Sequence, residues 1–415
     1  MKDHEFYHQL LGLEKPWCVE EVKLDISKQE VEVVVECQDQ NWACPECHQR
    51  MHVHQWKKRR WRHLDSCQFK TFLEAKVPVV QCPEHGTQTV KVPWAEKRAR
   101  FTSLFECLAI QILRACSVSE ACVLLRVSWD EADGIKQRAV QRGLSRKKEL
   151  PIRRLGVDEK AAGKGHDYIT VVARMVEGGP AVVEYLGDGR KQEALDGFWE
   201  TKTQEQRQGV EAISMDLWEA YRNSTIQYLP GALEKIVYDP FHLMKHLNQA
   251  VDTVRKQEHR ILMKQGDGRL SGSKYSWLKG MENLSSTQVQ TFNELKSQKL
   301  QTSRAWAIKE MFRDFWNCST DQEAKEYFTQ WYDWAIRSRM DPIKKVAKMF
   351  KRHLNNILTY FRFHLSNAAL EGLNSRISNI IKKACGYRNR ERFKADILFH
   401  LGGLDLFPGQ EKITT

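Results

Sequence analysis

Alternating apolar and polar positions mark the N-terminal part of the chain. Residues 17–37, WCVEEVKLDISKQEVEVVVEC, alternate on both sides of a short polar turn, a pattern typical of a β-hairpin. Strand character resumes in residues 67–82, CQFKTFLEAKVPVVQC. Two close pairs of metal-binding residues lie between and after these strands. The pattern therefore predicts a small β-rich domain over residues 1–94.

Helical spacing of apolar residues replaces this alternation in residues 101–143. Two polar interruptions divide that stretch into three short helices, and Ser119 and Ser128 are the predicted N-caps of the second and third. A three-helix cluster of this size is typical of a helix-turn-helix domain, whose last helix lies in the major groove of DNA. We assign this domain to residues 95–149.

The middle of the chain reads as a mixed sheet. An apolar run ends in Asp158, two further strands and a helix follow, and a fourth strand ends in Asp216. Another strand ends at Asp239, and the chain is mostly helical from there to about residue 400. This order predicts an α+β or α/β core.

Composition points to an anionic partner in a reducing compartment. The 65 Lys and Arg residues outnumber the 53 Asp and Glu, giving a formal charge of +12, which suits nucleic acid. No apolar run approaches the length of a membrane span, and the N-terminal residues lack the features of a signal peptide. We therefore predict a cytoplasmic protein with no membrane partner. In such a compartment, the 11 cysteines favour metal binding over disulfides.

A zinc site is predicted from two ligand pairs. Cys44 and Cys47 lie in CPEC, and Cys82 and His85 lie in CPEH. The two-residue spacing lets both side chains of a pair turn toward one ion, and three thiolates with one imidazole suit Zn²⁺ in a structural role. Alternative ligands remain at Cys37, Cys67, His48, His52 and His54.

Basic residues around the last helix of the helix-turn-helix are candidates for contacts with DNA phosphates. Their binding contribution would weaken steeply with salt. The candidates are Arg138, Arg142, Arg146, Lys147 and Lys148.

Asp158 and Asp216 are the candidate catalytic pair. In an RNase H-like sheet the first and fourth strands lie side by side, so these two carboxylates would meet. At about 4 Å they would repel by roughly 4 kcal/mol at an effective dielectric near 20. Mg²⁺ between them would remove that repulsion, because oxygen is its preferred ligand. The alternative for Asp216 is a cap on a helix starting at Trp218.

Glu371 in SNAALEGLNSRI is the candidate third ligand, on a helix that returns to the sheet. Asn367, Asn374 and Ser378 lie on the same polar stripe at helical spacing. Three carboxylates holding two metal ions suit in-line displacement at a phosphodiester. The alternative is a solvated helix residue. Basic residues nearby suit the DNA backbone, namely Lys382, Lys383, Arg388 and Arg390.

These motifs together resemble the bacterial insertion-sequence transposases of the ISL-three group, along nearly the whole chain. The matching pieces are CPEC with CPEH, GVDE, SMDLWEAY, YDPFHLMKHLNQAVD and SNAALEGLNSRI. The resemblance implies an N-terminal zinc-binding domain, a helix-turn-helix and an RNase H-like core in which Asp158, Asp216 and Glu371 form a DDE triad with Mg²⁺ or Mn²⁺. It also implies a helical insertion at 250–345, which divides that core into residues 150–249 and 346–415. Asp239 is a rival for the second acid, and we favour a supporting role for Asp239 and His242.

The predicted function is a transposase that binds the terminal inverted repeats of its element, cuts the strand ends and joins them to target DNA. Pairing two ends predicts a homodimer on double-stranded DNA, associated with the bacterial nucleoid. Most tryptophans of the insertion are expected in the core, and an exposed one there would stack on unpaired bases. The alternatives are a DNA-binding regulator with an inactive core and a structure-selective nuclease.

Overall fold

The computed structural model describes residues 3–163, 165, 167–280, 285–365 and 368–409 of the 415-residue chain. Its contacts divide the chain into two compact units, residues 1–148 with 391–415, and residues 149–390. No helix in these described ranges is long and apolar enough to cross a membrane.

The first unit begins with helix α1 (Asp3–Leu10) and a sheet in which the described strands number six. The strand order is β1-β2-β5-β4-β3, with β6 on β5. Three tryptophans fill the core of this sheet, with ring centroids 4.9 Å apart for Trp17 and Trp94 and 5.5 Å apart for Trp61 and Trp94. The strands are β1 (Trp17–Asp25), β2 (Glu30–Cys37), β3 (Asn41–Ala43), β4 (Arg50–Arg62), β5 (Lys70–Cys82) and β6 (Gly86–Thr89).

The predicted β1–β2 hairpin is confirmed, with antiparallel pairing from Trp17–Cys37 to Asp25–Glu30. Strand β4 was not predicted, because four consecutive basic residues at 57–60 interrupt any alternating pattern. Distant acids stabilise it: Lys58 lies 2.5 Å from Glu74 on β5, and Arg60 lies 3.2 Å from Glu30 on β2.

Three helices follow, α2 (Ser103–Ala115), α3 (Val118–Leu125) and α4 (Trp129–Ser145). Ser128 caps α4 as predicted, in a capping box with Glu131. The predicted cap at Ser119 is wrong, because Ser119 lies inside the first turn of α3. Ser117 caps α3 instead, and its capping box is closed by Glu120.

The last helix, α18 (Arg390–Leu401), corrects one predicted boundary. Residues 346–415 were expected to lie with the core, but the chain from Glu391 onward groups with the first unit. Phe399 and Leu406 are buried in the same hydrophobic cluster as Ile110 of α2 and Ile135 of α4. Burial of these apolar side chains accounts for the docking.

The sheet of the second unit has the order β11-β10-β7-β8-β9 in the described chain. The first three strands in sequence form an antiparallel meander, and β10 and β11 add parallel to β7 on its other side. These strands are β7 (Arg154–Ala161), β8 (Tyr168–Arg174), β9 (Val182–Asp188), β10 (Ala212–Met215) and β11 (Ile236–Tyr238). The helices between them are α5 (Gln192–Glu200), α6 (Gln204–Gln208), α7 (Glu219–Tyr228) and α8 (Ala232–Lys235).

The remaining helices cover this sheet and share its core. One hydrophobic cluster runs continuously from Ile152 to Phe361, so the predicted insertion packs together with the sheet. Trp306 and Trp331 are buried as expected, whereas Trp334 is 38% exposed. A 3-10 helix, Phe315–Asn317, also belongs here. The helices are α9 (Pro240–Lys264), α10 (Lys274–Leu278), α11 (Ser286–Ser297), α12 (Gln301–Asp314), α13 (Asp321–Arg337), α14 (Asp341–Arg352), α15 (Leu354–Leu358), α16 (Tyr360–Phe363) and α17 (Ala368–Lys383).

Helix α17 packs directly on β7, and Gly156 is the residue that permits the close approach. A Cβ at that position would lie 2.6 Å from Cδ1 of Leu370 and 2.9 Å from its Cγ. Leu370 is only 1% exposed, so its branch fills the space that the missing side chain leaves. The helix that carries Glu371 therefore depends on a glycine in the central strand.

We expect Gly156→Ala to lower the free energy of unfolding by about 1–3 kcal/mol, because the added methyl overpacks the contact with Leu370. Denaturant unfolding measures the change. Gly372→Ala, on the exposed face of the same helix with no neighbour within 4 Å, is the control and should be neutral or stabilising. Equal midpoints for Gly156→Ala and the parent would contradict the proposed close packing.

Candidate active site and zinc centre

The register of β7 and β10 brings Asp158 and Asp216 to the same place. The last parallel pair is Val157 with Met215, and each aspartate is the next residue along its strand. Contrary to the prediction, Asp158 does not end its strand, because β7 continues to Ala161 in its antiparallel pairing with β8. The parallel pairing with β10 ends one residue earlier, at Val157. Asp216 does not cap a helix through its side chain, since α7 begins at Glu219 and Trp218 occupies its N-cap position.

His242 holds the second acid and Asp239 together. Its Nδ1 lies 2.8 Å from Oδ1 of Asp216 and 2.9 Å from Oδ2 of Asp239. Asp239 ends β11 and begins α9, so the short helical turn from 239 to 242 returns the imidazole to the sheet edge. Asp239 is 3% exposed, whereas Asp216 opens to the cleft. The structure thus places Asp239 behind Asp216, consistent with a supporting position.

The pKa values of Asp158 and His242 are both raised, for different physical reasons. Burial, together with the charge of Asp216, raises the pKa of Asp158 to about 6. Burial would lower the pKa of His242, but hydrogen bonds and charges from Asp216 and Asp239 outweigh it and raise that pKa to about 10. A protonated His242 therefore compensates part of the negative charge of Asp216 and Asp239. It makes no such ion pair with Asp158.

A cleft of about 200 Å³ opens over these acids. Several of its lining residues were not predicted. Lys245, His246 and Gln249 follow His242 at helical spacing on α9, a signal that periodicity in HLMKHLNQ could have supplied. Trp218 is 41% exposed, and its Nε1 donates to the carbonyl of Arg190 at 2.9 Å. The full lining is Asp158, Glu159, Asp216, Leu217, Trp218, Tyr221, His242, Lys245, His246 and Gln249.

Helix α17 runs along β7 with a matching repeat. Alternate strand residues face the helix, because successive side chains point to opposite faces. Leu370 contacts Gly156, and Asn374 Nδ2 donates to Asp158 Oδ2 at 2.5 Å. Two strand residues advance about 6.6 Å and four helix residues about 6.0 Å, so the contacts stay in step.

Lys160 makes the next contact of this series. Its Nζ donates to the backbone carbonyl of Asn374 at 3.0 Å and to Oγ of Ser378 at 2.6 Å. Two members of the predicted polar stripe, Asn374 and Ser378, therefore face β7. The third, Asn367, lies outside the described residues.

Glu371 is exposed on α17, three residues before Asn374, and so on the same face of the helix. Among the described residues it is not one of those that line the cleft. The structure thus brings Asp158 and Asp216 into one cleft and places Glu371 on the helix beside it. Carboxylate oxygens such as those of Asp158, Asp216 and Glu371 are the ligands that a divalent cation such as Mg²⁺ prefers. Burial and the charge of Asp216 raise the pKa of Asp158, and a bound cation would offset both effects.

The four predicted zinc ligands converge. The ligand atoms of Cys44, Cys47, Cys82 and His85 all lie within 4.8 Å of one another. Cys44 and Cys47 come from the turn between β3 and β4, and Cys82 and His85 from the turn between β5 and β6. A hydrogen bond from the backbone of Cys47 contributes most to lowering the pKa of the Cys44 thiol, which favours the thiolate that binds zinc.

The alternative zinc ligands do not join this cluster in the described chain, and two of them have other hydrogen-bond partners. Cys37 Sγ donates to the carbonyl of Asp39, and His52 Nδ1 lies 2.8 Å from the carbonyl of Gln40. In the described chain, the grouping of three or more potential ligands contains neither residue, and it does not include Cys67, His48 or His54. The CPEC and CPEH residues are therefore the zinc ligands that the geometry supports.

Two of the predicted phosphate contacts need correction. Arg142 is 7% exposed, and its guanidinium binds Glu96 at 2.7 Å and Glu106 at 2.8 Å. Arg138 also pairs with buried Glu106, at 2.5 Å. Both arginines stabilise the helical unit, because their charges neutralise acids that would otherwise be buried alone.

The other predicted basic residues form two groups: two arginines that contact distant parts of the chain, and five exposed residues. Arg146 donates to the carbonyl of Phe407 at 2.6 Å, and Arg390 pairs with Asp167 and, at 3.2 Å, with Asp188. These two residues therefore tie segments of the chain together. The remaining candidates are exposed, namely Lys147, Lys148, Lys382, Lys383 and Arg388.

A meander of three strands with two parallel strands added, and carboxylates at the junction of the first and fourth, defines the class of the second unit. It is an RNase H-like core of the kind found in enzymes that cut and transfer nucleic-acid strands. Comparison with known families makes the assignment specific. A transposase family model for the DDE domain of the ISL3 group matches residues 155–397, more than half of the chain, so this chain belongs to the ISL3 transposase family.

Two further family models match the first unit. Residues 40–85 match the zinc finger of transposases IS204, IS1001, IS1096 and IS1165, and residues 90–140 match the helix-turn-helix domain of transposase family ISL3. The DNA-binding helix-turn-helix, the zinc ribbon and DNA cleavage and transfer by a DDE core are thus properties of this family that the chain shares. The predicted resemblance is confirmed.

Individual relatives agree along most of the chain. The chain is 25% identical over 436 aligned residues to the transposase for insertion sequence element IS1557 of Mycobacterium tuberculosis, covering 97% of this chain and 96% of the relative. It is also 25% identical over 355 residues to the transposase for insertion sequence element IS1001 of Bordetella parapertussis, covering 84% and 86%.

We expect Cys82→Ser to lose bound zinc and to unfold the N-terminal sheet, because Cys82 is 1% exposed and its thiolate is one of four ligands. Metal analysis should find about one zinc per parent chain and much less in the variant. Tryptophan fluorescence reports the sheet, since Trp17, Trp61 and Trp94 form its core.

Cys67→Ser is the matched control, because Cys67 is exposed and lies outside the ligand cluster. It should keep its zinc and its fluorescence. Retention of zinc by Cys82→Ser would contradict the assignment of the ligands.

Proposed function

We propose that this transposase recognises the terminal inverted repeats of its insertion sequence, cuts the 3′ ends and joins them to target DNA, with Asp158, Asp216 and Glu371 as its catalytic triad. The observation that carries this proposal is the strand register, which sets Asp158 and Asp216 one residue beyond the same β-ladder pair. The packing of α17 along β7 supports Glu371 as the third acid, since it holds that helix beside Asp158.

The triad is proposed to hold Mg²⁺ or Mn²⁺. Two such ions would activate an attacking oxygen and stabilise the leaving oxygen of an in-line displacement. The chain itself fixes the ligands: Asn374 and the backbone amide of Glu159 each donate to Asp158, while His242 orients Asp216. Asp239 holds His242 from behind, at 2.9 Å, so it acts as a positioning residue in this proposal.

Helix α4 is proposed to read the repeat in the major groove. Its buried faces pack on α2, α3 and α18, which leaves a stripe of mostly uncharged polar residues toward solvent. Gln137 and Gln141 are one turn apart on this stripe, and a glutamine can pair with the edge of an adenine through two hydrogen bonds. Asp130 and Gly134 complete it. Phosphate contacts are proposed for Lys147, Lys148, Lys382, Lys383 and Arg388, all exposed.

A homodimer on DNA is part of the same proposal. Joining the two ends of one element requires two active sites or two end-binding units at the same time. The mass of the complex with terminal-repeat DNA counts the protomers, and one protomer per complex would reject the dimer.

We expect Asp158→Asn, Asp216→Asn and Glu371→Gln each to abolish Mg²⁺-dependent nicking and strand transfer while terminal-repeat DNA is still bound, because each loses a charged ligand without a change of shape. Gel assays with labelled ends measure cleavage, and fluorescence anisotropy measures binding. Asp341→Asn, on an 84% exposed side chain at the start of α14, is the control and should cut like the parent.

The same assay separates the competing functions. If the parent binds the repeat but neither it nor Asp158→Asn nicks it, the protein is a regulator with an inactive core. If the parent prefers branched DNA over the repeat, it is a structure-selective nuclease. If Glu371→Gln cuts normally while the aspartate variants do not, the third acid is misassigned.

We expect Lys382→Ala and Arg388→Ala each to reduce the slope of log affinity against log salt by about one, because each removes one phosphate contact. Arg142→Ala should instead lower the free energy of unfolding by about 3 kcal/mol, since buried Glu106 then loses one of its two arginine partners and keeps Arg138. Titrations at several salt concentrations and denaturant unfolding distinguish the two effects. An unchanged slope for both exposed variants would remove α17 and the following loop from the DNA interface.

A further inference from the structure

The segment after the predicted third-acid helix packs against the helix proposed to read DNA. Residues 391–409, the C-terminal segment, contain α18 and the turn after it. Phe399 is 3% exposed and Leu406 is 2% exposed, and both belong to the hydrophobic cluster formed by α2, α3 and α4. At Gly143 of α4, an added Cβ would lie 2.6 Å from Cβ of Leu404, so the contact leaves no room for a side chain.

A buried ion pair joins the C-terminal segment to the middle of α4. Lys136 projects from α4, and only 5% of its side chain is exposed. It pairs with Asp396 of α18 and lies 3.4 Å from Asp133, one turn earlier on its own helix. Arg392 of α18 pairs in turn with Asp133 at 3.2 Å. Two positive and two negative side chains thus alternate across the contact.

A second connection is made by the end of α4. Arg142 Nη1 donates to the backbone carbonyl of Leu406 at 2.5 Å, in addition to its pairs with Glu96 and Glu106. Arg146, one turn later, donates to the carbonyl of Phe407 at 2.6 Å. The turn after α18 therefore supplies backbone acceptors to two arginines of α4.

These contacts build the C-terminal segment into the helical unit. Buried charges are tolerated when each is paired, and removing one partner leaves the other desolvated. If the segment departed, Lys136 would lose Asp396 and Arg142 would lose one acceptor. The family model for the helix-turn-helix covers residues 90–140 only, so this fourth element lies outside that match.

The position of the segment on α4 leaves the polar stripe open. At about 100° per residue, Ala132, Ile135 and Ala139 point to α2 and α3, while Lys136, Val140 and Gly143 point to the C-terminal segment. The opposite side carries the stripe of Asp130, Gly134, Gln137 and Gln141, which is not covered by either contact. The segment thus packs on the flank of α4 and away from its proposed groove face.

We propose that the C-terminal segment is a positioning element of the DNA reader: it fixes α4 so that Gln137 and Gln141 face the groove, and DNA affinity depends on its docking. Asp396 is the central positioning residue, because it bridges from α18 to the buried Lys136. This inference rests on the proposed function, in which α4 reads the terminal repeat.

The test uses the full chain with zinc bound. Asp396→Leu removes the acid that pairs with Lys136 across the contact and leaves this buried lysine the longer 3.4 Å pair with Asp133, so we expect the dissociation constant for terminal-repeat DNA to rise about ten-fold or more. The double variant Lys136→Met with Asp396→Leu replaces both charges by apolar groups and should restore most of the affinity. Glu391→Gln is the matched control, because this acid lies in the same segment with 80% of its side chain exposed and pairs with Lys394 of its own helix. It should bind like the parent.

Hydrogen exchange supplies the readout that distinguishes positioning from general stability. In Asp396→Leu, amides of α18 and α4 should exchange faster, while those of β7 and α17 keep their protection. Rescue by the double variant in both binding and exchange supports the proposal. Parental affinity in a variant whose α18 exchanges freely overturns it, as does a double variant that docks the segment yet binds DNA no better than Asp396→Leu.

Failure of the proposed function gives a different result. In that case the parent itself shows no preference for terminal-repeat DNA over scrambled DNA of the same length. The positioning inference is then judged by the ratio of variant to parent affinity on the scrambled DNA, where a ratio near one overturns it.

Discussion

The catalytic unit depends on two sets of contacts that β7 makes around Gly156 and Asp158, one along its edge with β10 and one on its face with α17. On one edge, parallel pairing with β10 ends at Val157 and brings Asp216 beside Asp158. On one face, Gly156, Asp158 and Lys160 meet α17, while Leu155 and Val157 on the other face join the main core. A slip of one residue in this strand would turn the acid into the core and a leucine or valine toward the helix. Burial of Leu155 and Val157 therefore fixes the register, and the register in turn fixes the position of Asp158 relative to Asp216 and α17.

Such a site holds charges at a cost that the surrounding residues offset only in part. Burial and the neighbouring Asp216 raise the pKa of Asp158. The positive charge of His242 is paired with Asp216 and Asp239. Asn374 donates to Asp158 but brings no charge. The protein chain thus orients the acids without neutralising them. That imbalance is what a cation-binding site requires, since a fully compensated set of carboxylates would have little to gain from a metal ion.

Sequence patterns predicted those parts of the fold that local rules determine. The succession of strands and helices in the second unit, the zinc ligand pairs and the caps with S-x-x-E spacing can all be read along the chain. The choice of Ser119 over Ser117 overlooked Glu120 at that spacing. Arg142 could also have been placed in the core, because it follows Ile135 and Ala139 at helical spacing. Strand β4 and the docking of α18 could not, since their stability comes from ion pairs and apolar contacts with residues distant in sequence.

The path of the chain links the two tasks of the enzyme. The polypeptide enters the catalytic unit after α4, whose C-terminal end is at Ser145, and leaves it before α18, which returns to α4. In sequence, the catalytic core is thus inserted into the helical unit that is proposed to read DNA. Only residues 384–389 separate α17 from α18, and a connection of that length extends about 3.6 Å per residue at most. The helix of the proposed third acid is therefore followed along the chain by α18 after a short connection, so the proposed catalytic and DNA-reading tasks are linked by the covalent path of the polypeptide.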